Sequence, residues 1–270
     1  MNRMQTRELE KKLKRLMLGR MLDTLDLRLE QAQKERIGYL EFLDLLLEDE
    51  INRRANQALA QRVARARFEE IKTLSGFDFS YNLKTPAATI RDLATCGYLE
   101  RKESVIICGP VGVGKSHISQ ALGHIACQRG YNVVYRKASK LLAELGGGHA
   151  DGTFERRMRT YLGPDLLIID DFGLRDFTPL QAEDFYELVC ERYRSGSLMV
   201  VSNRTPKDWY ALFPNPVLAE GALDRLINSS HYILMEGKSY RPFRRPDRER
   251  ASTNPISSSF PAEEEVTTGS

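Results

Sequence analysis

The sequence predicts an α/β fold: a parallel sheet flanked by helices, preceded by a small all-helical N-terminal region. Three observations predict it. Apolar runs of strand length alternate with helical segments from about residue 100. One of those runs leads straight into a glycine-rich turn and a helix, the start of a βαβ unit, and such units build parallel sheets. The first 75 residues, by contrast, hold no proline and only Gly19 and Gly38, and their apolar residues recur at helical spacing.

Within that helical region, Leu40, Leu43, Leu47 and Ile51 fall on one stripe. From Ile51 to Phe68 the character changes: Arg53, Arg54, Arg62, Arg65 and Arg67 follow one another without an acidic residue. GFDFSYNLKTPAATIRDL then supplies the Gly, Asn and Pro of a linker, ending in a short helix. SVIICG reads as a buried strand, KSHISQALGHIACQRG as a helix closed by Gly130, and YNVVYRKA as a second strand. GGGHADGTFERRMR reads as a loop entering a helix, and LLIIDD and SLMVVSN as two further strands. The patterned part ends near Arg241. The remainder is poor in apolar residues, so a disordered tail is expected. The expected division is 1–75 helical, 76–241 α/β and 242–270 tail.

Composition excludes several classes. The formal charge of +3 is too small to argue for a nucleic-acid partner by itself. Cys96, Cys108, Cys127 and Cys190 are scattered, with no CxxC pair, which speaks against a zinc site or a disulfide framework. The charged start MNRMQTRELEKKLKR lacks the apolar stretch of a signal peptide, and no run approaches the roughly 18 apolar residues that span a bilayer. A reduced, cytoplasmic protein with no membrane partner is expected.

The chemistry is concentrated after the first strand. Gly109-Pro110-Val111-Gly112-Val113-Gly114-Lys115-Ser116 matches GxxxxGK[ST], and His117 continues the run into the helix. Glycines let backbone N–H groups turn inward around phosphate oxygens, and the helix N-terminus adds partial positive charge. Lys115 would neutralise the outer phosphates, and Ser116 would offer its hydroxyl to Mg²⁺. Further along, an apolar strand delivers Asp170 and Asp171 at its C-terminal end. Asp170 would hold the Mg²⁺; Asp171 would activate the attacking water as general base. The letters Asp171-Phe172-Gly173 also spell a kinase metal motif, but the upstream loop is of the Walker type and no HRD segment exists. The strand Leu198–Val201 ends in Ser202-Asn203-Arg204, where Asn203 can orient a water. Leu223-Asp224-Arg225-Leu226 sets one arginine among apolar neighbours; either a surface salt bridge or a finger into a neighbouring subunit's site accounts for it.

In this order, GPVGVGKS, LLIIDD, SNRTPKDW, ALDRL and GKSYR resemble the AAA+ ATPases of the IstB/DnaC group, and the IstB-like insertion-sequence helpers in particular. The helical N-terminus running into FDFSYN is similar to theirs as well. The resemblance implies an ATP- and Mg²⁺-dependent, DNA-binding homo-oligomer that prepares target DNA for a cognate transposase. It makes Arg225 the expected finger and Arg241 the expected second sensor. Arg53, Arg54, Arg62, Arg65 and Arg67 then become candidates for duplex backbone contact, with Arg156, Arg157 and Arg159 as a second cluster. No base-reading motif accompanies either cluster, so weak sequence preference is expected. Two other readings stay open at this point: a replicative helicase loader, and an ATP-gated DNA scaffold with little turnover.

Overall fold

A computed structural model of the chain describes residues 3–82 and 84–244. The expected tail falls almost entirely outside the described residues.

Three helices come first: α1 (Arg3–Arg15), α2 (Leu22–Glu35) and α3 (Tyr39–Ala66). Their small core gathers Met21, Leu25 and Leu46, with Leu13, Leu18, Leu29 and Phe42 packed around it. Arg28 of α2 ties to Asp49 of α3 through two hydrogen bonds of 2.8 and 2.7 Å. The α3 stripe does not serve this core. Leu40 and Ile51 are 85% and 65% exposed, and Leu43 and Leu47 are exposed as well. Leu46 and Phe42, one turn around the helix, face inward instead.

The second half of α3 belongs to a different core. Leu59, Val63, Ala66 and Phe68 pack with the sheet residues. The helix stops where Arg67 turns left-handed at φ 58°. Two short helices, α4 (Ala87–Leu93) and α5 (Gly97–Glu100), lead into strand β1 (Ser104–Cys108). Then follow α6 (Lys115–Gln128), β2 (Val133–Lys137), α7 (Ala138–Asp151), α8 (Phe154–Leu162) and β3 (Leu166–Phe172). The chain continues through α9 (Pro179–Arg192), β4 (Ser197–Ser202), α10 (Pro206–Trp209), α11 (Pro216–Asn228) and β5 (Ser230–Leu234).

The five strands form one parallel sheet in the order β2-β3-β4-β1-β5. Alternate residues of a strand serve opposite faces. Ile106 and Cys108 join the core under α7, α8, α9 and α11, while Val105 and Ile107 join the core under α3, α4 and α6. With both faces covered, β1 is buried at every position, which is why it reads as an unbroken apolar run. Because all strands point the same way, the C-terminal ends of β1, β3 and β4 open on one edge, the usual ligand edge of such sheets.

Two local expectations are corrected. The fifth strand is absent from the sequence reading: Ser230–Leu234 is short and largely half-exposed, so its apolar signal is weak. The glycine run 146–148 is not a loop either. It is the last part of α7, and a Cβ on Gly148 would lie 2.8 Å from the Phe154 Cα. Gly148 lets the start of α8 lie close against α7, a packing reason that sequence composition reads as flexibility.

Candidate functional site

The glycine loop between β1 and α6 is bent by three positive φ angles: Gly109 at 148°, Gly112 at 85° and Gly114 at 98°. Close neighbours enforce them. A Cβ on Gly109 would lie 2.0 Å from the Met235 carbonyl oxygen, and one on Gly112 would lie 2.1 Å from Ser239 Oγ. The loop is thus pressed against the segment after β5. Tyr240 N–H donates to the Gly112 carbonyl at 2.9 Å, so the two segments are also hydrogen-bonded.

Lys115 is the first residue of α6 and Ser116 the second. Lys115 Nζ donates to the Pro110 carbonyl at 2.9 Å, which folds the side chain back over the loop. Burial pulls the Lys115 ammonium below its ordinary pKa, and the nearby Asp170 carboxylate opposes that pull. At the end of β3, Asp170 is buried. Burial raises its pKa, against hydrogen bonds from Tyr135 and Ser116 and from the Asp171 N–H that favour the carboxylate. Tyr135 Oη donates to Asp170 Oδ2 at 2.6 Å, and the Asp171 N–H donates to Asp170 Oδ1 at 2.8 Å. Asp171 has a left-handed backbone at φ 55°, a conformation that aspartate tolerates better than most residues.

A cavity of about 390 Å³ opens between these groups. Val111, Gly112, Val113, Gly114, Lys115, Ser116 and His117 line it from the loop, Asp170 and Asp171 from β3, Asn203 from the end of β4, and Arg241 from the C-terminal segment. Of the loop, Gly109 and Pro110 do not line it; Pro110 serves through its carbonyl, on Lys115. The donor set suits ATP with Mg²⁺. A hydroxyl and a carboxylate meet at Ser116 and Asp170, both hard oxygen ligands. Among the described residues no group of three or more His, Cys, Asp or Glu could hold a metal by itself.

Several residues here carry no motif in the sequence. Tyr135 and Lys137 come from β2, paired with β3 so that Lys137 stands opposite Asp170. Lys137 Nζ lies 3.1 Å from Glu69 Oε1 and 3.5 Å from Asp171 Oδ2. The segment after α3 forms another wall: Phe77, Asp78, Tyr81 and Asn82 line the cavity, and Phe77 packs edge-on to the His117 ring. Asn82 Nδ2 donates to the Lys238 carbonyl at 3.1 Å, and Tyr81 Oη to the Ser239 carbonyl at 3.0 Å, so both ends of the α/β unit meet over the loop. Only the strings FDFSYN and GKSYR hint at this.

Arg225 is not in the cavity. It lies on α11 beside Ser104 and Leu198, at the start of β1 and β4, and donates to the Gly221 carbonyl at 2.6 Å. No salt bridge holds it among the described residues.

The basic clusters divide. Arg53 and Arg54 both clamp the buried Glu50, with Arg53 Nε and Arg54 Nε each at 2.7 Å, and these bonds hold the Glu50 carboxyl down at about 2. Arg157 is likewise spent inside the chain, on the Glu144 carbonyl, Thr153 and Asp151. Arg65 and Arg67 are exposed at the end of α3, Arg156 and Arg159 are exposed on α8, and Arg62 is half-buried.

The IstB-like ATP binding protein family matches residues 11–247. An ATP-binding protein of an insertion sequence in Mycobacterium tuberculosis is 52% identical over 87% of this chain and 94% of its own length. A protein of Pseudomonas aeruginosa named as the ATP-binding protein of insertion sequence IS21 is 35% identical, covering 87% and 88%. Among solved structures, the DnaC helicase loader superposes with a TM-score of 0.54 at 18% identity, over 63% of this chain and 98% of that one. AMPPCP-bound DnaA from Aquifex aeolicus gives 0.53 at 20% identity, over 69% and 56%. At such identities these structures share the fold. The four cysteines are free, and among the described residues no helix is long and apolar enough to cross a membrane.

Proposed function

Because the chain belongs to the IstB-like ATP-binding protein family, we propose that it works in the cytoplasm as an ATP- and Mg²⁺-dependent ATPase that assembles as a homo-oligomer on target duplex DNA and recruits or stimulates an insertion-sequence transposase. The observation that carries the reading is the convergence of Lys115, Ser116, Asp170, Asp171, Asn203 and Arg241 on one cavity at the ligand edge of the sheet. Lys115 and the loop N–H groups bind the triphosphate, and Ser116 and Asp170 hold the metal. Bound Mg²⁺ supplies charge neutralisation on the phosphates. Asp171 takes the proton from a water that Asn203 orients. Tyr135 fixes Asp170 so that one oxygen stays aimed at the loop.

Arg225 supports a shared site. It lies at the opposite edge of the sheet from its own cavity, so it completes a site only on a neighbouring subunit. The exposed Arg65, Arg67, Arg156 and Arg159 carry the duplex contact; Arg53, Arg54 and Arg157, already paired within the chain, are proposed to contribute little. The sequence relatives are insertion-sequence proteins, whereas the helicase loader is alike in fold alone, which favours the transposition reading.

The test measures duplex affinity against salt, with ATP present, together with strand transfer by the cognate transposase. Wild-type affinity should fall steeply with salt. Arg65→Ala/Arg67→Ala should flatten the slope by about 2 and reduce stimulation of the transposase. Salt-independent binding, or a transposase indifferent to the protein, would reject the reading.

A further inference from the structure

Of the string SNRTPKDW only Asn203 enters the catalytic reading, yet Ser202 and Trp209 of the same string are buried. The Ser202 hydroxyl is bonded to its full capacity. It donates to the Phe172 carbonyl at 2.7 Å and accepts from the Arg204 N–H at 3.0 Å and from Trp209 Nε1 at 3.3 Å. A hydroxyl has one proton to give and two lone pairs to fill. Ser202 lines the cavity, but its oxygen has nothing left to offer a ligand.

The bond to Phe172 falls at an irregular point of the sheet. β3 and β4 run in register as far as Ile169 opposite Val200, and resume with Phe172 opposite Ser202. Asp170 and Asp171 therefore stand against Val201 alone, so β3 carries a bulge. In a regular strand two successive acids would point to opposite faces. The extra residue lets both of them line the cavity. The bulge is held on either side. The Asp171 N–H donates to Asp170 Oδ1 at 2.8 Å. Beyond it, Phe172 lies between two left-handed residues, Asp171 at φ 55° and Gly173 at φ 79°, and its carbonyl is caught by Ser202. The residue after Ser202 is Asn203. One hydroxyl thus ties the strand end that carries Asp171 to the strand end that carries Asn203. Trp209, at the end of α10, packs edge-on to Phe172 with ring centroids 4.8 Å apart while its N–H occupies a lone pair of Ser202.

We propose that Ser202 is a positioning residue that sets the spacing between Asp171 and Asn203, and that Trp209 orients its hydroxyl. The Trp209 and Arg204 N–H groups only donate, so they leave the Ser202 proton one direction, onto the Phe172 carbonyl. With that bond in place, Asp171 and Asn203 address one water. Without it the bulge relaxes, and base and amide lose their common target. Phosphate binding belongs to Lys115 and the glycine loop and is untouched. This role of Ser202 rests on the reading of Asp171 as the water-activating base and Asn203 as the group that orients the water.

Steady-state ATP hydrolysis by the full chain, scaled to the ATP sites counted by calorimetric titration, tests it. Threonine and valine share one shape and differ in the hydroxyl, so strain from the added methyl groups cancels between them. Ser202→Val should show a kcat roughly five- to tenfold below that of Ser202→Thr, the scale of one lost hydrogen bond, at equal ATP affinity. Ser202→Ala adds no bulk and should fall by a similar factor against the wild type, which keeps the test decisive if the larger side chains do not fold. Trp209→Phe keeps a ring against Phe172 and loses the N–H. It should lower kcat about two- to threefold in the wild type and have no further effect in Ser202→Ala. Equal kcat in Ser202→Thr and Ser202→Val overturns the proposal. So does a loss of kcat that runs parallel to a loss of ATP affinity, the signature of a merely structural hydroxyl. A Trp209→Phe effect of equal size in both backgrounds overturns the part assigned to Trp209. Asp171→Asn separates the failures. If it leaves kcat intact, the base assignment itself is wrong; if it abolishes turnover while Ser202→Val matches Ser202→Thr, only the role of Ser202 is wrong.

Discussion

The two ends of α3 lie in unlike surroundings. Around its first half, three helices enclose a core of a few residues, and Leu40, Leu43, Leu47 and Ile51 remain on the surface. Around its second half, Leu59, Val63 and Ala66 pack into a two-faced core closed over a fully buried sheet. At the sheet edge three of the charged groups have fixed partners: Lys115 on a carbonyl, Asp170 on Tyr135, Asp171 on Lys137. The helical end keeps an apolar row on its surface, with Arg28, Arg53 and Arg54 paired to acids beside it. Chemistry requires preorganised groups, and preorganisation comes from burial and hydrogen bonding.

The comparison breaks most visibly at Lys115. Lys115→Ala removes the only lysine of the loop and should weaken ATP binding on the order of 100-fold, the scale of a lost charged hydrogen bond, with the fold intact by circular dichroism. Calorimetric titration with ATP checks this, and retained native affinity would end the cradle assignment. A smaller effect sharpens the role of the partners behind the site. Tyr135→Phe keeps the ring and its packing but takes the hydroxyl from Asp170, so Mg²⁺ affinity in the presence of nucleotide should drop about tenfold, with little change in ATP binding without the metal. Titrating Mg²⁺ against hydrolysis reads the difference.

The smallest effect belongs to the helical end. Glu50 is depressed from 4.5 to about 2 by Arg53 and Arg54. A carboxyl whose folded pKa lies below its unfolded one stabilises the fold fully above about pH 4.5, and that contribution is lost as pH falls through this range toward 2. Urea midpoints measured between these pH values should decline in the wild type and decline less in Glu50→Gln. Parallel curves would show that Arg53 and Arg54 are not committed to Glu50, and would return both to the duplex-binding surface.

The phosphate loop, the strand acids and four of the five strands were legible because each depends on neighbours along the chain. A strand buried on both faces is apolar throughout, and a phosphate loop needs its glycines and lysine at fixed spacing. Asn203 was singled out by its place at a strand end, and Arg241 only through the resemblance. Tyr135, Lys137 and Glu69 were not legible at all: tyrosine, lysine and glutamate at those positions look like any strand end or linker. The arginine run did not reveal the pairing of Arg53 and Arg54, because the acid they bind is Glu50, just outside it.

By itself the sequence determined the fold class, four of the five strands and the glycine loop between the first strand and its helix, all consequences of periodicity and local spacing. Tertiary structure decided which charges are spent and which are available. It paired Glu50 with two arginines, set Lys137 between Glu69 and Asp171, moved Arg225 to the far edge, and turned a glycine run into the seat of α8. The reason is that ion pairs and close packing depend on distance in space, and a parallel sheet brings β2, β3 and the end of α3 together from positions some 30 to 100 residues apart, a separation no local pattern records.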